Sequence, residues 1–150
     1  MSAPYNLFSD NLEQALVTIV QAYLTAQSST AVVTAGESSA TDLNPHVIVA
    51  VASAVESVYQ SGIYEVVIDF TARVNIDDTN SNVSTSKDSV QSLFASILDV
   101  VQQPSLIDQL NHVGSFIVRG IVPGDQRLNS LSERQWEKSI SVSFFGFMTT

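Results

Sequence analysis

Alternation at period two dominates the stretch from Gly62 to Ile76. Tyr64, Val66, Ile68, Phe70, Ala72, Val74 and Ile76 share one parity, and Glu65, Val67, Asp69, Thr71, Arg73 and Asn75 share the other. Successive side chains of a strand point to opposite faces, so the pattern predicts one long strand with a buried face and a wet or interfacial face. The other elements are arranged around it. Upstream, Leu12, Leu16, Ile19, Val20, Tyr23 and Leu24 recur at the three-and-four spacing of an amphipathic helix over about 9–26. Asp10 and Glu13 have capping-box spacing at its start.

Between these elements the run 27–45 is mostly Ser, Thr, Ala, Gly and Asp, and it predicts a loop with one short strand near 30–35. The segment 46–57 carries Val47, Val49, Val51 and Val55 on one parity. β-Branched residues at period two favour a strand there, antiparallel to the long one, although the alanines also suit a helix. Downstream, the polar run Asp77–Lys87 predicts a loop or a projecting hairpin arm. Thr85 with Asp88 has the spacing of a second capping box, and Val90, Leu93, Phe94, Ile97, Leu98 and Val101 form the apolar stripe of a second helix, stopped by Pro104. A short helical turn follows around Leu106, Ile107 and Leu110. The last third reads as strand 116–122, a turn at Pro123-Gly124-Asp125, a polar link through Ser132, and a closing strand from Trp136 to Phe147. The last two strands most simply pair as a hairpin. In the closing strand Trp136, Ile140, Val142 and Phe144 face inward, and Lys138 shares their parity with a stem able to snorkel. The expectation is a single α+β domain over 1–150, with a mostly antiparallel twisted sheet and two main helices on one face.

Composition sharpens this picture. Hydrophobic residues make up 45% and charged residues 14% of the chain, against roughly 25% charged in an average soluble protein. So few surface charges offer little resistance to association and favour an oligomer. The net charge of −9 and the scatter of the six Lys and Arg argue against nucleic acid as the main partner. With no cysteine, disulfides, thiolate metal sites and cysteine nucleophiles are excluded. No secretory signal opens the chain, and its longest apolar stretch falls short of a membrane span, so a soluble protein is expected.

Candidate chemistry is sparse. His46 and His112 lack helix-borne metal-site companions and read as ordinary histidines. The run from Asp77 to Asn82 lacks the glycine and the bidentate glutamate of a calcium loop. Gly114-Ser115 is no nucleophile elbow, and no glycine-rich phosphate cradle follows a strand. Glu65, Asp69 and Arg73 share one strand face without a histidine, which favours a charge ladder across an interface or to solvent over acid–base catalysis. Phe145 and Phe147 lie on the parity opposite Phe144, so the closing strand is partly apolar on both faces, which suits burial against a neighbour and equally suits packing within its own core. Neither a cofactor nor a metal is expected. Glu65, Asp69, Arg73, Asp77, Asp78, Lys87, Phe145 and Phe147 are the candidate interface residues.

The order and spacing of elements resembles the tail-terminator and neck (tail-completion) proteins of tailed bacteriophages. The resemblance covers about 9–147 through the helix Leu12–Leu24, the Pro45-led strand, the strand Ile63–Ile76, the helix Val90–Val101 and the closing strand Trp136–Phe144. It carries no residue-level motif, and the polar run 27–45 departs from the more compact members. It implies a non-enzymatic virion protein, assembled in the host cytoplasm, that closes as a homo-oligomeric ring, commonly a hexamer. Such a ring caps the tail tube and meets other phage neck and tail proteins, with DNA at most passing through its lumen and no membrane partner. Another virion role (tail tube, head–tail adaptor or baseplate), a small-ligand binding module, and an enzyme using His46 or His112 with a carboxylate are the alternatives.

Overall fold

The computed structural model describes residues 4–28, 31–36, 45–56, 62–75, 83–113, 115–132 and 135–149. The elements are helix α1 (Pro4–Ala26), strands β1 (Val32–Ala35), β2 (His46–Glu56) and β3 (Tyr64–Asn75), helices α2 (Val83–Gln102) and α3 (Leu106–Val113), and strands β4 (Phe116–Ser132) and β5 (Gln135–Met148). The strands form one sheet in the order β1-β2-β3-β5-β4. Among the described strands only the β1–β2 pair is parallel, and the other three pairs are antiparallel. The fold is α+β. The segment 46–57, which suits either a strand or a helix by composition, is strand from His46 through Glu56, beside the long strand as its valine alternation favours.

The long strand sits at the centre of the sheet, between β2 and β5. Val66, Ile68, Phe70, Ala72 and Val74 are buried, and the residues between them are half-buried. The register sets Val66, Ile68 and Phe70 against Phe144, Val142 and Ile140 of β5. Phe8, Leu12, Leu16 and Val20 of α1, Val90, Phe94 and Ile97 of α2, and Leu106 and Leu110 of α3 join those residues in one core cluster. All three helices therefore cover the same face. Complete burial of Phe70 or Phe144 stabilises the fold by roughly 2–3 kcal/mol each.

Several expectations are corrected. Helix α1 begins at Pro4, not near Asp10, because proline suits a first turn whose N–H groups have no partner. Asp10 is an exposed helical residue, and Glu13 serves the sheet instead. Its Oε2 accepts the Val51 N–H at 3.0 Å, where β2 is irregular between Val51 and Ser53. Replacing Glu13 by Ala removes this acceptor. A loss of about 1–2 kcal/mol in urea unfolding is expected, and none for Ala at the exposed Gln14.

Helix α2 likewise starts before its supposed cap, at Val83, so Thr85 and Lys87 belong to the helix and not to a loop. Nothing from Val83 to Lys87 is Pro or Gly, so no breaker stops the helical backbone from starting earlier. The helical turn around Leu106, Ile107 and Leu110 is present as expected and runs eight residues, Leu106–Val113. Pro123-Gly124-Asp125 does not turn the chain: β4 continues through it with a register shift between Pro123 and Gln126. An edge strand tolerates a proline whose missing N–H faces away from the sheet, and the one extra residue of β4 is taken up as a bulge. Lys138 holds its ammonium 4.9 Å from the centre of the Phe94 ring, a cation–π contact at the end of its snorkelling stem.

Tyr23 ties α1 to α2 by donating its hydroxyl proton to Asp99 Oδ2 at 3.2 Å. Desolvation, and then the Asp99 charge, push its phenol above the ordinary value. The stabilising effect of keeping the proton is complete below the ordinary tyrosine range near pH ~10 and is lost as pH rises through the folded value. The ultraviolet titration of the wild-type protein minus that of Tyr23→Phe should show one tyrosine ionising late, and Asp99→Asn should bring it earlier.

Candidate functional site on the helix-free face of the sheet

The sheet face opposite the helices is built by the other parity of the same strands. Its cross-strand rows are Glu65 against Phe145, Asp69 against Ser141, Thr71 against Ser139 and Arg73 against Glu137. On the far side of β3, Ala50 lies opposite Asp69, Ile48 opposite Thr71 and His46 opposite Arg73. Phe147 is opposite Ile117 of β4 on this face, and the Arg119 guanidinium lies 5.5 Å from the centre of its ring.

Glu65, Asp69, Arg73, Phe145 and Phe147 are thus brought together on one surface, all half-buried. Lys87 is not: it stands in α2, which packs on the opposite face of the sheet. Asp77 and Asp78 lie outside the described residues.

The charges on this face are not spaced as an independent ladder. Arg73 pairs with Glu137 on the neighbouring strand, with Nε donating to Oε1 at 2.6 Å and Nη2 reaching the same oxygen. Asp69 accepts the Ser141 hydroxyl at 2.6 Å. Both side chains of the ion pair are mostly buried, at 19% and 15% exposed. The alternation of the closing strand puts Glu137 and Ser141 on its outward parity and specifies nothing more. Their role comes from the β3–β5 register, which no local pattern specifies.

Between these rows lies a concavity of about 200 Å³ lined by Ile48, Ala50, Asp69, Thr71, Arg73 and Glu137. A second groove, of about 340 Å³, lies on the helical side between the end of α2, the start of α3 and β4, lined by Val101, Pro104, Ile107, Ile121 and Pro123 among others. His46 is buried at the β1–β2 edge of the open face, whereas His112 is exposed on α3 and bonded through Nδ1 to the Asp108 carbonyl at 2.9 Å. Among the described residues no group of three or more His, Asp or Glu is placed to hold a metal ion, and no helix is long and apolar enough to cross a membrane. What the open face offers is a preformed surface of fixed charges, hydroxyls and two aromatic rings.

Comparison with protein-family models gives no match, and comparison with curated proteins gives none.

Proposed function

We propose that this chain is a structural, non-enzymatic virion protein of a tailed bacteriophage, a neck protein like the tail terminators that closes as a ring between tail tube and head-completion proteins. The observation that carries the reading is the one-sided sheet. Three helices cover one face, while the other presents Glu65, Asp69, Arg73, Phe145 and Phe147 together on paired strands. Polar groups already held by neighbours lose little side-chain freedom on docking. Half-buried rings beside them supply apolar area. A surface of this kind that meets a different surface on the next subunit, repeated about an axis, closes a ring. The order of elements supports the same reading, as does an acidic chain that would line a lumen without holding DNA.

Light scattering over a concentration series, with negative-stain images of the same sample, tests it. Rings of about six subunits with a central hole are expected for the protein alone or with its neck partners. Particles without a hole in both conditions would overturn the reading.

The second reading is a small-ligand binding module. The groove at Val101, Pro104, Ile107, Ile121 and Pro123 favours it, since about 340 Å³ is at the lower end of ligand pockets. A small molecule that raises the melting temperature, with the rise abolished by Ile107→Asp, is the result that reading requires.

A further inference from the structure

Each edge of the sheet carries a helix-borne amide that engages backbone groups a neighbouring strand would otherwise use. On β1, Gln21 of α1 accepts the Val33 N–H at 3.1 Å and donates to the Ala31 carbonyl at 3.4 Å. On β4, Asn111 of α3 accepts the Val118 N–H at 2.7 Å and donates to the carbonyl of the same residue at 3.3 Å. Unpaired strand edges are templates for another chain, and such caps block them. With four residues, β1 has little edge left beyond Gln21. β4 has 17 residues, and among the described residues Asn111 guards only its beginning.

Asn111 also reveals the phase of the β4 ladder. Val118, opposite Gly146, turns both backbone groups away from β5. In an antiparallel pair such residues alternate with those that bond inward. Partners of the even-numbered β5 residues are therefore the outward-turned ones. Along the regular run 126–130 these are Gln126, Leu128 and Ser130, opposite Ile140, Lys138 and Trp136. Pro123, opposite Val142, has the same phase, so its missing N–H costs the sheet nothing. Leu128 is 39% exposed.

We infer that residues 126–130 of β4 form a strand-addition edge whose occupant is the same strand of a second copy, antiparallel about a two-fold axis at Leu128. This register sets Leu128 against Leu128 and Gln126 against Ser130, with up to about six new hydrogen bonds, two for each of the three pairs. The residue types at these register positions suit a second copy. Leu128 gains an apolar cross-strand partner, and Arg127 falls opposite Asn129 instead of a like charge. In a chain of net charge −9 the run contains no acidic residue, so this register sets no carboxylate of 126–130 against another. The β1 edge offers no equivalent, because Gln21 occupies it. The inference goes beyond the ring reading and does not depend on it.

Leu128→Pro removes an outward N–H in a phase where Pro123 is already accommodated. Leu128→Lys keeps the N–H and sets two ammonium groups against each other across the axis. Assembly mass is read by light scattering over a concentration series, with circular dichroism to establish that each variant is folded. Both variants are expected to have half the wild-type assembly mass. Equal masses for wild type and a folded variant, or a wild type monomeric at every concentration, overturn the inference. A six-subunit ring untouched by both variants removes the two-fold edge and keeps the ring. A dimer split by both does the reverse, and a twelve-subunit particle halved to six supports both.

Discussion

Gly146→Ala is expected to be the most damaging single-methyl change in the sheet, costing about 3 kcal/mol or more and lowering the melting temperature by roughly 6–12 °C. Gly146 lies on β5 opposite Val118, under the first turns of α1. A Cβ there would sit 2.1 Å from the Ile117 carbonyl oxygen and 2.9 Å from Cζ of Phe8. A side chain can rotate out of such a clash, but a backbone carbonyl in a paired strand cannot. β4 would have to lift from β5 where Asn111 fixes Val118, and Phe8 would lose its edge-on contact with Phe116, whose ring centre is 5.8 Å away. The matched control is Gly120→Ala, whose Cβ would meet only Phe145 Cδ2 at 3.8 Å, an ordinary contact. Chemical denaturation of both variants should therefore separate two Gly-to-Ala changes on neighbouring strands by more than 2 kcal/mol, an order-of-magnitude expectation. A difference below about 1 kcal/mol would mean that the β4–β5 spacing at Gly146 is looser than described.

The sheet was legible in the sequence wherever one face is dry. Tyr64 to Val74 alternate because the side-chain period of a strand is two, and burial at Val66, Ile68, Phe70, Ala72 and Val74 follows that parity without a break. The stripe from Val90 to Val101 reports a helix for the same reason, at the helical period. Both signals are repeated over many residues, so one exception does not erase them. Helix starts and turns rest on three or four residues, and here tertiary contacts override them. Glu13 has the spacing to cap a helix, but an unsatisfied N–H at the β2 irregularity uses it. Pro123-Gly124-Asp125 has the composition of a turn, yet pairing with β5 on both sides carries the strand through. The helical turn around Leu106 was legible, and the structure extends it to Val113; the parallel placement of β1 had no periodic signal long enough to reveal it.

The candidate face was legible to the same depth. Parity alone placed Glu65, Asp69 and Arg73 together and put Phe145 and Phe147 opposite Phe144, because no knowledge of neighbours is needed to say which side of a strand a residue occupies. The partners of those charges were not legible. They follow from a register between strands more than sixty positions apart, and a slip of one residue would have moved each of them to the other face. A sequence of this kind therefore announces a surface before it announces what that surface holds in place.

That register makes Arg73 the residue whose loss should be felt most on this face. Arg73→Met is expected to cost about 2 kcal/mol, between the 3–5 kcal/mol of breaking a fully buried pair and the 0–1 kcal/mol of an exposed one. The intermediate value follows from side-chain exposures of 19% for Arg73 and 15% for Glu137. The substitution leaves the Glu137 carboxylate desolvated, with its nearest cation gone and the Asp69 carboxylate lining the same concavity. Neutralising the orphan should therefore recover most of the loss: Arg73→Met with Glu137→Leu is expected within about 1 kcal/mol of wild type, since an apolar pair of similar volume often replaces a buried ion pair at little cost. The four proteins form a double-mutant cycle read by urea unfolding. Additive single losses would show that the two side chains do not act as a pair. A recovered double variant also separates stability from docking, because its fold would be intact while its charges are absent. If the helix-free face is the surface that meets a neighbour in a ring, that variant should be folded and fail to assemble. Normal assembly would move the contact away from Arg73 and Glu137.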